Sequence, residues 1–162
     1  MTGSGAAIST AIGTPPTPAV RRRLQATRGL VKVVFLTLDE AIALHADQIE
    51  RYGGRPGIRD IGLLQSARGV PSATFEARFL HEGLQEMAAA YLFHIVRDHP
   101  FVDGNKRAGL VMLLAFLGLN SRRLDAESQD VERLVQGVAS GRVSKAEAAV
   151  FVQQHLRTRP RD

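Results

Sequence analysis

Between Ala108 and Leu119 the chain carries twelve residues without one charged or polar side chain. A helix made from that run is apolar on every side, so it has to lie inside a fold rather than on its surface. Twelve residues are too few for a bilayer, which takes about 20. The remaining chain must therefore wrap around a helix of about residues 105–119. Its spacing supplies the wrapping. Thr37-Leu38-Asp39-Glu40 reads as a capping box, followed by Leu38, Ile42, His45 and Ile49 at helical intervals and a glycine stop at Tyr52-Gly53-Gly54. Asp60 caps a short helix, Ile61 to Arg68. Pro71 to Leu80 lacks periodicity and is expected to be a loop with a helical turn, with Phe75 and Phe79 turned inward. Gly83 or Leu84 to Asp98 has one broad apolar face, and His99-Pro100 ends it, because the residue before proline avoids the right-handed helical region.

After a turn at Asn120–Arg123, a helix is expected from Asp125 or Ser128 to Val138, stopped at Ser140-Gly141. Ser144-Lys145-Ala146-Glu147 is a second capping box, opening a last helix that runs through Phe151, His155 and Leu156. Only Val31 to Leu36 reads as a short strand. The expectation is an all-α bundle of six or seven helices around the apolar one.

The nine residues just before that helix, His99-Pro100-Phe101-Val102-Asp103-Gly104-Asn105-Lys106-Arg107, hold most of the chemistry. They form a loop that feeds a helix N-terminus, where free N–H groups and the helix dipole favour an anion. Gly104 permits a tight turn and close approach, and consecutive N–H groups there can form a nest. Lys106 and Arg107 add positive charge, with a forked contact available from Arg107. Asp103 is a hard oxygen ligand of the kind Mg²⁺ uses together with substrate phosphates. His99 can take a proton from a hydroxyl near neutral pH. Phe101 is expected to plug into the core and hold His99 outward. A base, a metal carboxylate and an anion cradle suit phosphate chemistry on a hydroxyl. His45, His94 and His155 lie on or beside apolar stripes and read as packing or surface residues.

The nine-residue string resembles the Fic/Doc signature, His-x-Phe-x-(Asp/Glu)-Gly-Asn-(Gly/Lys)-Arg, at His99, Phe101, Asp103, Gly104, Asn105, Lys106 and Arg107. Lys106 where Gly is usual, and Leu110 where a second Arg is usual, look like the death-on-curing (Doc) branch of type II toxin–antitoxin systems. Arg51 to Asp60 is similar to Doc too, and suggests a cleft wall carrying Arg55 or Arg59. The resemblance covers roughly Phe35 to Leu156. It implies a toxin that moves the γ-phosphate of ATP, with Mg²⁺ on Asp103, to a Ser or Thr hydroxyl of elongation factor Tu and so stops translation. In that scheme His99 is the base, while Gly104, Asn105, Lys106 and Arg107 hold the nucleotide. It also implies a Phd-like antitoxin whose tail folds into a groove on this protein. Two alternatives remain from the residues themselves. One is an adenylyltransferase with the same groups, disfavoured by Lys106 and the absent second Arg. The other is a non-catalytic protein-binding module, disfavoured by His99 beside Asp103.

The chain has 162 residues, enough for one domain with its own core. It has no cysteine and no leader-like apolar run at its start, which fits a cytoplasmic protein. Its net charge of +5 is misleading, since Arg21, Arg22, Arg23 and Arg28 contribute +4 in a stretch with no acid and leave +1 for the rest. The body lacks a basic run interleaved with aromatics, so neither nucleic acid nor membrane is expected as its partner. Residues 1–29, rich in Gly, Ser, Thr and Pro, read as a disordered tail, or as a start placed upstream of a true one near Val31 or Val33. The domain is expected over 30–157, with 158–162 frayed.

Overall fold

The computed structural model describes Pro18 and residues 32–160. The expectations for residues 1–29 therefore fall outside the described residues, Pro18 excepted. Among residues 32–160, six α-helices make up the body. They are α1 (Leu38–Tyr52), α2 (Ile61–Gly69), α3 (Gly83–Asp98), α4 (Asn105–Leu119), α5 (Ser128–Ser140) and α6 (Lys145–His155). A 3₁₀ turn, Val70–Ser72, follows α2. Four short strands pair as two antiparallel ribbons, β1 (Thr74–Phe75) with β2 (Arg78–Phe79), and β3 (Arg122–Leu124) with β4 (Leu156–Thr158).

The apolar run is buried as its composition requires. Along α4, Ala108, Leu110, Met112, Leu113, Phe116 and Leu117 have no exposed surface. It shares the centre with α3, whose Met87 to Leu92, Ile95 and Val96 are buried against it. Helix α6 covers another side of α3, and α1 lies on α4. Gly109 explains itself here. Helix propensity alone makes Gly worse than Ala by about 1 kcal/mol, but a Cβ at this position would sit 2.8 Å from Val96 Cγ2 and 3.2 Å from the Leu92 carbonyl oxygen. The two helices approach so closely only because that Cβ is absent.

Both expected capping boxes form. The Thr37 hydroxyl accepts from Glu40 N, and the Glu40 carboxylate accepts from Thr37 N at 2.8 Å. Ser144 and Glu147 exchange the same pair of bonds. Asp60 caps α2 through Leu63 N, at 3.0 Å. Residues 33–37 form no strand, and Val31 lies outside the described residues. Side chains hold this segment instead. Asn120 accepts from Val34 N and donates to Val34 O, each at 2.8 Å, and the Tyr91 hydroxyl accepts from Leu36 N at 3.0 Å.

Three further expectations are corrected, besides the strand expected at Val31 to Leu36. Phe75 and Phe79 do not turn inward; they are 68% and 41% exposed, on a hairpin whose turn residues Glu76 and Ala77 have φ of 50° and 63°. Phe79 retains one ring neighbour, Phe35, at 5.6 Å. The last helix stops at His155, and Leu156 begins β4. Thr158 is not frayed, because it pairs with Arg122, and Arg159 N donates to Ser121 O.

Candidate active site

Helix α3 ends at His99, whose backbone is left-handed, φ 50° and ψ 57°. Pro100 disfavours the right-handed region for its predecessor, so the helix cannot continue, and the chain leaves it through a left-handed C-cap. A side chain in that region costs about 1–3 kcal/mol and needs surrounding support. Arg59 supplies it. Its Nε donates to the His99 carbonyl at 2.6 Å and its Nη2 to the Asp98 carbonyl at 2.9 Å. These are charge-assisted bonds at the negative end of a helix dipole. The backbone N–H groups of Arg59 and Asp60 both donate to Pro100 O, and Val102 N donates to Gly57 O. Ile58 and Phe101 form a β-bridge. The loop 53–60 is thus laced to the loop 99–103.

Within the second loop, Asn105 is the internal brace. Its Oδ1 accepts from Phe101 N and its Nδ2 donates to Phe101 O, both at 3.0 Å. The same Nδ2 lies 3.4 Å from His99 Nδ1. Phe101 is buried, as expected, and the imidazole of His99 is exposed. Gly104, at φ 74°, precedes α4, and no side chain caps that helix. Its first N–H groups are those an anion would meet.

Asp103 turns its carboxylate toward both loops. Oδ2 accepts from Arg55 N at 3.0 Å, and Oδ1 accepts from Gly104 N at 2.8 Å. Those two backbone bonds, Arg55 first, hold its pKa below the ordinary carboxylate value, with Arg107 and the Arg55 charge adding to them. The group is an ionised oxygen donor, and each oxygen retains a free lone pair. Mg²⁺ needs one or two carboxylates alongside nucleotide phosphates rather than an all-protein cage. Among the described residues no cluster of three or more His, Asp or Glu side chains could hold a metal. The Asp103 carboxylate, beside the first turn of α4, is the group that could hold Mg²⁺ together with nucleotide phosphates.

Arg107 reaches across to the end of α1, donating from Nη2 to Gly53 O at 2.9 Å and from Nη1 to Gln48 O at 3.3 Å. The guanidinium has five N–H donors, so it can meet an anion without breaking both bonds. Lys106 stands exposed on the first turn of α4. A Cβ on Gly54 would fall 2.9 Å from Asp103 Oδ2, so glycine is needed there for the carboxylate to keep its place.

The structure thus gathers His99, Phe101, Asp103, Gly104, Asn105, Lys106 and Arg107 in one loop and helix start. It refines three roles. The side chain of Asn105 holds the loop, leaving its backbone N–H for an anion. Arg59 faces the carbonyls of the loop, not the solvent side of a cleft wall. Arg55 reaches the site through its backbone N–H. Sequence reasoning missed the place of His45. Its Nε2 lies 2.7 Å from the Asp103 carbonyl oxygen, and its ring lies parallel to Phe101 at 3.8 Å. Burial, the largest influence, pushes its pKa down. No local spacing could have revealed a contact across 58 residues.

Next to this site, Ile42, His45, Ala46, Ile49, Pro56 and Ile58 line a groove of about 440 Å³ between α1 and the 53–60 loop. No helix among the described residues is long and apolar enough to cross a membrane.

Residues 35–117 match the model of the Fic/DOC family. The chain is 37% identical over 114 residues to a protein of Escherichia phage P1 named protein kinase doc, covering 68% of this chain and 86% of that protein. It is 38% identical over 96 residues to toxin Doc of Mycolicibacterium smegmatis, covering 59% of this chain and 72% of that protein. With its signature loop intact and Lys106 in place, the chain belongs to the Fic/Doc family, in its Doc branch.

Proposed function

We propose that this protein is a Doc-like toxin that transfers the γ-phosphate of ATP to a Ser or Thr hydroxyl of a protein. The observation that carries the reading is the meeting of three features in nine residues. They are an exposed His99 on a braced backbone, an ionised Asp103 and an uncapped helix N-terminus flanked by Lys106 and Arg107. His99 accepts the hydroxyl proton while the hydroxyl oxygen attacks the γ-phosphorus. The bond from that phosphorus to its bridging oxygen breaks, and ADP leaves. The N–H groups of the first turn of α4, beginning at Asn105, with Lys106 and Arg107, hold the phosphates and offset charge gathering in the transition state, while the Gly104 N–H stays on Asp103 Oδ1. Asp103 would hold Mg²⁺, which supplies further charge neutralisation when bound. The resemblance pairs Lys106 with a nucleotide turned so that its γ-phosphate faces the target.

By the same resemblance the target is elongation factor Tu, the effect is arrested translation in the cytoplasm, and the partner is a Phd-like antitoxin. The apolar groove beside the site suits the nonpolar face of a partner helix that folds on binding. The test is the intact mass of elongation factor Tu after incubation with the protein, ATP and Mg²⁺, with His99→Ala alongside. A gain of one phosphate, absent with the variant, is expected. A gain of one AMP would make the protein an adenylyltransferase. An unchanged mass, both here and across a whole lysate, would favour the binding module.

A further inference from the structure

One buried side chain touches the signature loop from another helix and has no part in the chemistry just described. His45, on α1, is 3% exposed. A carbonyl oxygen can only accept, so His45 Nε2 carries a proton and donates it to Asp103 O, at 2.7 Å. That oxygen belongs to the peptide unit joining Asp103 to Gly104. The N–H of the same unit donates to Asp103 Oδ1 at 2.8 Å. The peptide is planar, so its two ends turn together. Pinning the oxygen fixes the N–H, and the N–H fixes the carboxylate. The stack of His45 on Phe101 is a separate contact, with 3° between the rings, and could be made by any flat ring.

We propose that His45 is a positioning residue: its Nε2–H locks the Asp103–Gly104 peptide plane and so aims the Asp103 carboxylate at the ion that accompanies the nucleotide. The inference rests on Asp103 being the Mg²⁺-holding group of the proposed function. Partners of this kind, once removed, change metal affinity by roughly 10–100-fold.

Two variants separate the hydrogen bond from the stack. His45→Phe retains a flat ring over Phe101 and removes the donor. His45→Gln gives up the ring and retains an N–H donor at a similar reach. The readout is calorimetric binding of a non-hydrolysable ATP analogue across a Mg²⁺ titration and in chelator, with thermal melting of each protein. His45→Phe is expected to need roughly tenfold more Mg²⁺ for half-maximal tightening, with affinity in chelator unchanged. His45→Gln is expected to stay within about threefold of the unaltered protein. Unaltered Mg²⁺ dependence in His45→Phe would overturn the proposal, as would a His45→Gln protein equal to His45→Phe in its defect. A measurement on the unaltered protein stands apart from whether either variant folds. The His45 Nε2 proton should give a slowly exchanging imidazole resonance, and a freely exchanging one would overturn the proposal. If Mg²⁺ fails to tighten the analogue even in the unaltered protein, the nucleotide reading of Asp103 falls, which is a different result from either of those.

Discussion

Arg59 holds the carbonyl of His99 at 2.6 Å, and that of Asp98 at 2.9 Å, with two arms of one guanidinium. The base of the proposed reaction therefore takes its backbone direction from a residue 40 positions earlier. Arg59→Ala should lower turnover about tenfold, while stability falls by about 1 kcal/mol or less because the side chain is exposed. Arg59→Lys should rescue little, since an ammonium lacks the fork that spans two carbonyls. Single-turnover rates beside thermal melts check this. Turnover unchanged in Arg59→Ala would separate His99 from its clamp.

Gly109→Ala should destabilise the fold even though Ala is the better helix former. A Cβ 2.8 Å from Val96 and 3.2 Å from the Leu92 carbonyl forces α3 and α4 apart. Overpacking of this sort costs about 1–3 kcal/mol, more than the roughly 1 kcal/mol that propensity returns. Urea unfolding at pH 7 measures the difference.

Asn105→Ala should be harmful twice over. It strips both bonds from the Phe101 backbone in a buried setting, and it removes the side chain beside His99 Nδ1. Leaving a buried N–H and C=O unpaired costs about 1–3 kcal/mol per group. Activity should fall further than the loss of folded protein explains, as measured by rate per folded molecule from melts and active-site titration.

Acid should weaken the fold through two half-buried histidines, His94 and His81. His94 accepts a bond from Lys145 Nζ at 3.2 Å and lies 3.6 Å from Asp98, with His81 and Glu86 nearby. Burial first, and Lys145 second, push the pKa values of His94 and His81 below 6.5. Each then binds fewer protons in the folded state than in the unfolded one. Stability is intact above pH 6.5 and falls as pH drops below it toward the lowered values. The melting temperature should decline between pH 7 and pH 5, and His94→Gln should flatten that decline. A decline of equal steepness in the variant would place the titration elsewhere.

What could be read from the chain was what depends on near neighbours. Thr37 with Glu40, and Ser144 with Glu147, are three residues apart, and both boxes form. The uniform apolarity of Ala108 to Leu119 dictated the burial of that run. The signature loop was legible because its groups are contiguous. The bracing of that loop was not legible. His45 to Asp103, Arg59 to His99 and Arg107 to Gly53 join residues 40 to 58 positions apart, and no periodicity encodes them. The hairpin at Phe75–Phe79 escaped notice for a local reason. Its turn places Glu76 and Ala77 at positive φ, where Gly or Asn would have signalled a turn.

The central claim is phosphate transfer from ATP by His99 and its loop. The most direct measurement is label transfer in a whole lysate given Mg²⁺ and ATP labelled at either the γ or the α position, with unaltered protein and with His99→Ala. The account predicts one protein band labelled from γ-ATP alone, and none with His99→Ala. Label from α-ATP, or a γ-label undiminished by His99→Ala, would contradict it.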